Sequence, residues 1–458
     1  NCAGTGDHGA IRPHGLQPQF ARTGGQSLAG QENPFPTPIR CHRSQHLVTI
    51  HDVDLGPGGC PAGDHGIATR FHPHNIETGQ GWLGSGSCGG GGRFAGVPTL
   101  LTAILDQEGG GTDGDQTFSH GDDVYLTPDP THGLGQWNSD AFWRALHHGR
   151  SRDGRLLYPA FPYNNTTQVS REDSDALYAY LRSLPAVAQA NRPHALDWPY
   201  STQAALAVWR ALYFKPGVFE PEPAQSAEWN RGAYLTRGLA HCSACHAERD
   251  PLGGSSEAQA FRGGLMPAQD WYAPSLRSSA EGGVATWDTQ QVVDLLKTGV
   301  TDGASVMGPM ADVVLHGTQH LSDADLRAMA VYLQALPQQT PPAKDVERAD
   351  PQQLARGERL YAQQCAQCHG DNGEGAAGVY PRLAGNRAVT LETPHNVVQA
   401  ILGGGFAPAT AGHPRPYGMP PYRTLLTDDE VAAVATFVRQ SWGNQAPAVS
   451  SLAVQRIR

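Results

Sequence analysis

Cys365-Ala366-Gln367-Cys368-His369 is the stretch on which the reading of this chain turns. Two cysteines three residues apart fall on one side of a helical turn, and a histidine follows directly. Both sulfurs can then add to the vinyl groups of one porphyrin while the imidazole meets the iron, which is why Cys-x-x-Cys-His is the attachment sequence of covalently bound haem c. A second copy, Cys242-Ser243-Ala244-Cys245-His246, lies upstream. Two copies in a chain with only 8 cysteines make coincidence remote. A structural zinc site would want two further ligands at matching spacing, and no such pair follows either motif closely. A thioredoxin-like dithiol would need strand and helix alternation around it, and none is evident.

At 458 residues the chain fits about three to four domains. A hydrophobic content of 39% with 55 Gly and 35 Pro points to small, loop-rich domains. A haem buries a large apolar face, so it substitutes for the core such a domain lacks. With 33 basic and 43 acidic residues the formal charge is −10, which argues against a nucleic-acid partner and against a polybasic membrane anchor. Lys215, Lys297 and Lys344 are the only lysines, the arginine bias of a GC-rich coding sequence. No apolar run reaches 18 residues, so no transmembrane helix is expected. Neither is a leader visible after Asn1, and any signal peptide is expected to be removed or absent from the sequence as given. Thioether attachment of haem occurs outside the bacterial inner membrane, so the periplasm is the expected compartment.

Residues 1–122 are dense in Gly and His, include Gly89-Gly90-Gly91-Gly92, and carry little helical periodicity beyond the apolar run 97–105. From about residue 123 three similar blocks follow. Each has a penultimate amphipathic helix, expected over 139–148, 288–298 and 393–402. Each also has a closing helix, expected over 172–184, 323–336 and 428–442. Ser170, Ser322 and Thr427 are natural N-caps for the closing helices, whose first turns are acidic. Leading helices over 228–239 and 353–363 run into the two Cys-x-x-Cys-His motifs. They carry Gly232 with Tyr234 and Gly357 with Tyr361, and a glycine inside a good helix reports close approach of another element, here the closing helix. In this order the features over 226–340 and 350–443 resemble the class I cytochrome c domain. The fold class expected is therefore all-α, a tandem of three such domains with the first degenerate or mis-translated in its N-terminal part.

The resemblance implies a second axial ligand between the last two helices, with methionine thioether the usual donor. In the third block Met419 sits in that interval; in the second, Met307 and Met310 both do. Met310 follows the rigid turn Gly308-Pro309 and matches the family pattern better, with Met307 the alternative. Met329 reads as core filler, Met266 lies too early, and His316 and His320 are competitors of lower rank. The candidate site is thus Cys242, Cys245, Cys365 and Cys368 for covalent attachment, and His246, Met310, His369 and Met419 for the iron. The first block shows Tyr158-Pro159-Ala160-Phe161-Pro162-Tyr163 where a methionine would fall, and its missing motif would lie near Cys88, which has neither partner. Either that block has lost its haem, or residues 1–122 are a wrong-frame translation; the abrupt change near Val124 and the GC-rich bias favour the second. Two haems follow from the motifs, and a third if a first motif exists.

A closer resemblance rests on Thr127-Pro128-Asp129-Pro130-Thr131-His132-Gly133, on Phe142-Trp143-Arg144-Ala145-Leu146-His147-His148-Gly149, on 157–163, 226–234, 308–313 and 320–336, and on Ser441-Trp442-Gly443-Asn444. These are similar to the three-haem cytochrome c subunits of membrane-bound bacterial alcohol and sugar dehydrogenases, nearest in type to the quinohaemoprotein alcohol dehydrogenases. The match runs from about 124 to 445. It implies a large dehydrogenase subunit with pyrroloquinoline quinone (PQQ) or FAD as partner, ubiquinone as acceptor, and a peripheral place on the periplasmic side of the cytoplasmic membrane. The chain itself is expected to relay electrons in the respiratory chain rather than to catalyse oxidation alone. The domains expected are 1–122 atypical, 123–200 the rest of the first, 201–225 a packed connector, 226–340 the second, 350–445 the third and 446–458 a tail. Alternatives of other classes are a multihaem enzyme such as a thiosulfate dehydrogenase or peroxidase, and a free soluble carrier.

Overall fold

The computed structural model describes residues 126–191, 196–266, 269–340, 346 and 348–458. The expectations for 1–122, including Cys88 and the run 97–105, lie outside the described residues, as do 341–345 and 347 between the second and third blocks.

In the first block α1 (Ser139–His148) starts where the Asn138 side chain accepts the Ala141 N–H, and stops at Gly149 in the left-handed conformation, φ 54°. A short α2 (Tyr163–Thr166) precedes α3 (Arg171–Ser183), capped by Ser170. The connector carries α4 (Gln203–Tyr213). In the second block α5 (Ala227–Tyr234) runs on as a π-helical turn, Leu235–Leu239, into α6 (Ser243–His246). A hairpin, β1 (Gly264–Met266) and β2 (Trp271–Ala273), comes next, then α7 (Thr289–Thr298), the two-residue strands β3 (Val300–Thr301) and β4 (Ala304–Ser305), α8 (Pro309–His316) and α9 (Asp323–Gln334). The third block holds α10 (Pro351–Gln364), α11 (Ala366–His369), α12 (Arg387–Thr390), α13 (His395–Gly403), β5 (Gly405–Phe406), β6 (Gly418–Met419), α14 (Asp428–Gln440) and α15 (Ser451–Ile457). The described chain is helix-rich, its strands confined to three antiparallel pairs.

The glycines of the leading helices mark the tightest crossings. A Cβ on Gly232 would lie 1.9 Å from the Ala328 carbonyl oxygen of α9, and one on Gly357 2.2 Å from the Ala433 carbonyl oxygen of α14. Backbone therefore meets backbone at both crossings, and only glycine fits. The loops after the penultimate helices are tied back alike: the Thr166 hydroxyl donates to the Leu146 carbonyl at 2.8 Å and the Thr318 hydroxyl to that of Leu296 at 2.5 Å.

Leu146, Val169, Leu177 and Leu181 of the first block pack in one continuous core with Leu235, Leu239, Leu326 and Met329 of the second. The third block has its own core, around Tyr361, Val398, Leu402, Val431 and Val438. Val454 and Ile457 of α15, within the stretch expected as a tail, are buried in it. The connector departs from expectation in a different way. Helix α4 buries only Leu206, leaving Val208 and Leu212 64% and 63% exposed. It is held mainly by polar ties, Trp209 Nε1 to the Leu252 carbonyl at 3.1 Å and the Arg210 guanidinium to the His148 carbonyl at 2.7 Å. Among the described residues no helix is long and apolar enough to cross a membrane.

Candidate haem sites

Each Cys-x-x-Cys-His motif closes on itself as one helical turn. The His246 N–H donates to the Cys242 carbonyl at 2.9 Å and the His369 N–H to that of Cys365 at 3.0 Å. Both imidazoles are then fixed in the same manner: His246 Nδ1 lies 2.7 Å from the Pro274 carbonyl oxygen, His369 Nδ1 2.9 Å from that of Pro381. A carbonyl only accepts, so Nδ1 carries the proton and the Nε2 lone pair is free for a metal. Burial holds both histidines below the usual imidazole range, against the pull of the proline carbonyls, which favours the neutral, ligating form. The four motif cysteines are free thiols, partly buried. Burial, with the neighbouring cysteine adding to it, pushes Cys242 up to about 12 and Cys365 up to about 11.

The methionines divide by what they touch. Met310, in the first turn of α8 after Gly308 (φ 58°), packs against the core that Cys242 also joins. Met419, on β6 opposite Gly405, packs against the core that Cys365 joins. Met307 points elsewhere, with its terminal methyl 3.3 Å from where a Cβ on Gly405 of the third block would lie. Met329 is 1% exposed inside α9, Met266 ends β1, His316 ends α8 and His320 is exposed. Each core thus gathers a cysteine and a methionine beside a histidine with a free Nε2, a donor set that fits haem iron closed on both faces. Among the described residues no three His, Cys, Asp or Glu side chains come together as a zinc site would need.

Around the motif of the third block, Tyr361 donates its hydroxyl to the Gly370 carbonyl at 2.6 Å, and its ring lies 4.9 Å from that of Trp442 and 5.4 Å from that of Phe437. The first block contributes to the second motif directly: Asn165 of α2 donates to the Ser243 hydroxyl at 2.7 Å and to the Arg237 carbonyl at 2.9 Å. Ser243 stands between Cys242 and the next cysteine. Sequence reading missed this contact, and it missed Pro274 and Pro381 as histidine partners. A proline followed by no motif of its own carries no signal for such a role.

A cytochrome c family model matches residues 354–442, so the third block is a cytochrome c domain and the chain a haem c protein. Three relatives extend the likeness well beyond that block. The cytochrome c subunit of alcohol dehydrogenase (quinone) from Gluconobacter oxydans is 36% identical over 352 residues, 73% of this chain and 73% of that one. The cytochrome c subunit of gluconate 2-dehydrogenase from Pantoea cypripedii is 36% identical over 343 residues, 70% of this chain and 77% of the relative. The cytochrome subunit of fructose dehydrogenase from Gluconobacter japonicus is 32% identical over 362 residues, 73% and 74% respectively. The chain belongs to this family of dehydrogenase cytochrome c subunits, the electron-transfer members of their complexes.

Proposed function

We propose that the chain is the electron relay between a large dehydrogenase subunit, of PQQ or FAD type, and ubiquinone, and that it works peripherally on the periplasmic side of the bacterial cytoplasmic membrane. An alcohol is the first choice of substrate for the partner, followed by a sugar or sugar acid, in line with the relatives' names. The three blocks are read as tandem cytochrome c domains, the first altered. Cys242 and Cys245 hold one haem, with His246 and Met310 as axial ligands. Cys365 and Cys368 hold another, with His369 and Met419. A haem so held supplies one-electron chemistry between ferric and ferrous iron.

The residues of the chain do the rest. The proline carbonyls keep the imidazole protons on Nδ1 and leave Nε2 as the lone-pair nitrogen. With Met310 and Met419 as the second donors, haems held here would have no position open to substrate, which suits electron passage rather than substrate oxidation. Asn165 joins the first block to the turn that carries the second attachment site. The observation that carries the proposal is the duplication of the Nδ1 to proline-carbonyl contact beside a motif cysteine and a methionine on one core.

Haem per chain by pyridine haemochrome tests it. Paired replacement of Cys242 and Cys245 by Ala, or of Cys365 and Cys368 by Ala, should each remove one haem; a full count in either variant overturns that site. Met310→Ala and Met419→Ala should each abolish one methionine-ligated low-spin signature while Met307→Ala leaves both. The reverse result would move the ligand to Met307. Substantial carbon monoxide binding to the ferrous wild-type protein would favour an enzyme with an open iron over a closed relay.

A further inference from the structure

We propose that Asn396, near the start of α13 in the third block, is a positioning residue for the haem of the second block. Its carboxamide holds strand β2, and through β2 the carbonyl that orients His246. The proposal rests on the haem reading of Cys242, Cys245 and His246 given above.

Each strand of a two-stranded hairpin has one edge without a strand partner, and the backbone groups there need other acceptors and donors. On β2 one edge faces β1, with Leu265 opposite Tyr272. Asn396 serves Tyr272 with both ends of its amide. The Tyr272 N–H donates to Asn396 Oδ1 at 2.9 Å, and Asn396 Nδ2 donates to the Tyr272 carbonyl at 2.8 Å. One side chain from the neighbouring block thus does the work of a next strand.

Two residues further on is Pro274, whose carbonyl receives His246 Nδ1 at 2.7 Å. On its far side Glu281 accepts the Ser275 N–H at 2.8 Å and the Tyr272 hydroxyl at 3.0 Å. The stretch 272–275 is therefore fixed by its own block through Glu281 and by the third block through Asn396. The motif of the third block is supported differently. Past Pro381, Asn444 of the same block donates to the Leu383 carbonyl at 3.0 Å and accepts the Gly385 N–H at 2.8 Å. Helix α13 then runs from the clasp at Asn396 to Gly403, and at the C-cap that follows, Gly404, a Cβ would lie 2.3 Å from the Met419 carbonyl oxygen. One helix therefore reaches the histidine support of one site and the methionine strand of the other.

The hydrogen bond at Nδ1 sets how strongly an imidazole donates through Nε2. A carbonyl held close makes the ligand more basic, favours ferric iron and keeps the potential low; a carbonyl free to drift lets it rise.

An optical redox titration of the full-length holoprotein, with haem counted by pyridine haemochrome, tests this. In Asn396→Ala the count should be unchanged, one midpoint should move to more positive potential and the other should stay. Asn396→Asp keeps the acceptor for Tyr272 and loses the donor, so it should give a smaller shift in the same direction. It also carries the test if the alanine variant yields no holoprotein. Adding Met419→His displaces the wave of the third site and identifies the moving one as the second. Midpoints coincident with wild type, or a shift carried by the third-site wave, overturn the proposal. Full haem retention after replacing Cys242 and Cys245 by Ala withdraws the second site itself, a failure read from the count and not from the potential.

Discussion

Arg439 shows how much a single side chain organises here. It is fully buried in α14, yet among the described residues no carboxylate is paired with its guanidinium. Its five N–H groups are met by backbone carbonyls instead. Nε donates to Pro447 at 3.1 Å, one terminal nitrogen to Val389 at 3.0 Å and Thr393 at 3.5 Å, and the other to Leu391 at 2.8 Å and Glu392 at 3.1 Å. Burial lowers its pKa to about 10, still well above neutrality, so the group stays charged and the carbonyl dipoles compensate it. The result is a tie between α14, the turn into α13 and the approach to α15. Arg439→Ala leaves those carbonyls unmatched and opens a cavity, and should cost about 3–5 kcal/mol. Arg439→Lys should recover little, because one ammonium cannot reach both sides. Guanidinium unfolding followed by far-UV circular dichroism measures both. From sequence, an arginine in the last turn of an amphipathic helix reads as an exposed partner of the helix dipole, and nothing local marks it as a buried hub.

Between elements, the decisive contacts are those where glycine admits a neighbouring backbone. At Gly357 an added methyl would meet the Ala433 carbonyl oxygen at 2.2 Å and Phe437 Cβ at 2.7 Å, neither of which can swing aside. Gly357→Ala should therefore destabilise the third block by about 1–3 kcal/mol. Gly403, the last residue of α13, has nothing within 4 Å of its would-be Cβ. There the same change should stabilise by about 0.4–1 kcal/mol. Thermal melts of the two variants should move in opposite directions. The close approach at Gly232 and Gly357 was legible in the sequence, because a helix with good periodicity tolerates a glycine chiefly for packing. So were the N-caps Ser170, Ser322 and Thr427, which accept the N–H of Asp173, Asp325 and Glu430. Other features were not legible. Helix α15 is too short for periodicity to declare it. The π-helical turn Leu235–Leu239 leaves no compositional mark, and the acceptor for His246 lies 28 residues away, beyond any local pattern.

For the whole molecule the junctions matter most. Tyr234 of α5 accepts the Ser170 N–H at 3.2 Å and donates its hydroxyl to Asp173, so the second block completes the N-terminal cap of the first block's closing helix. Burial, then Asp173, holds the Tyr234 hydroxyl well above its ordinary pKa of 10.0. The unfolded chain therefore gives up that proton first, and the fold loses stability as pH rises past that value. Tyr234→Phe should cost about 1–3 kcal/mol at neutral pH, speed amide exchange across 171–183, and flatten the alkaline loss. Unchanged exchange there would mean the blocks do not depend on this contact. The other junction depends on chain length. The proline acceptor follows the motif histidine at a separation of 28 residues in the second block against 12 in the third, and the longer span includes the hairpin that meets Asn396. Spans of different length thus end in the same contact between imidazole and acceptor, 2.7 Å against 2.9 Å. The shorter span leaves the acceptor of His369 to its own block, while the longer one gives the second block a strand edge on which a neighbour can act.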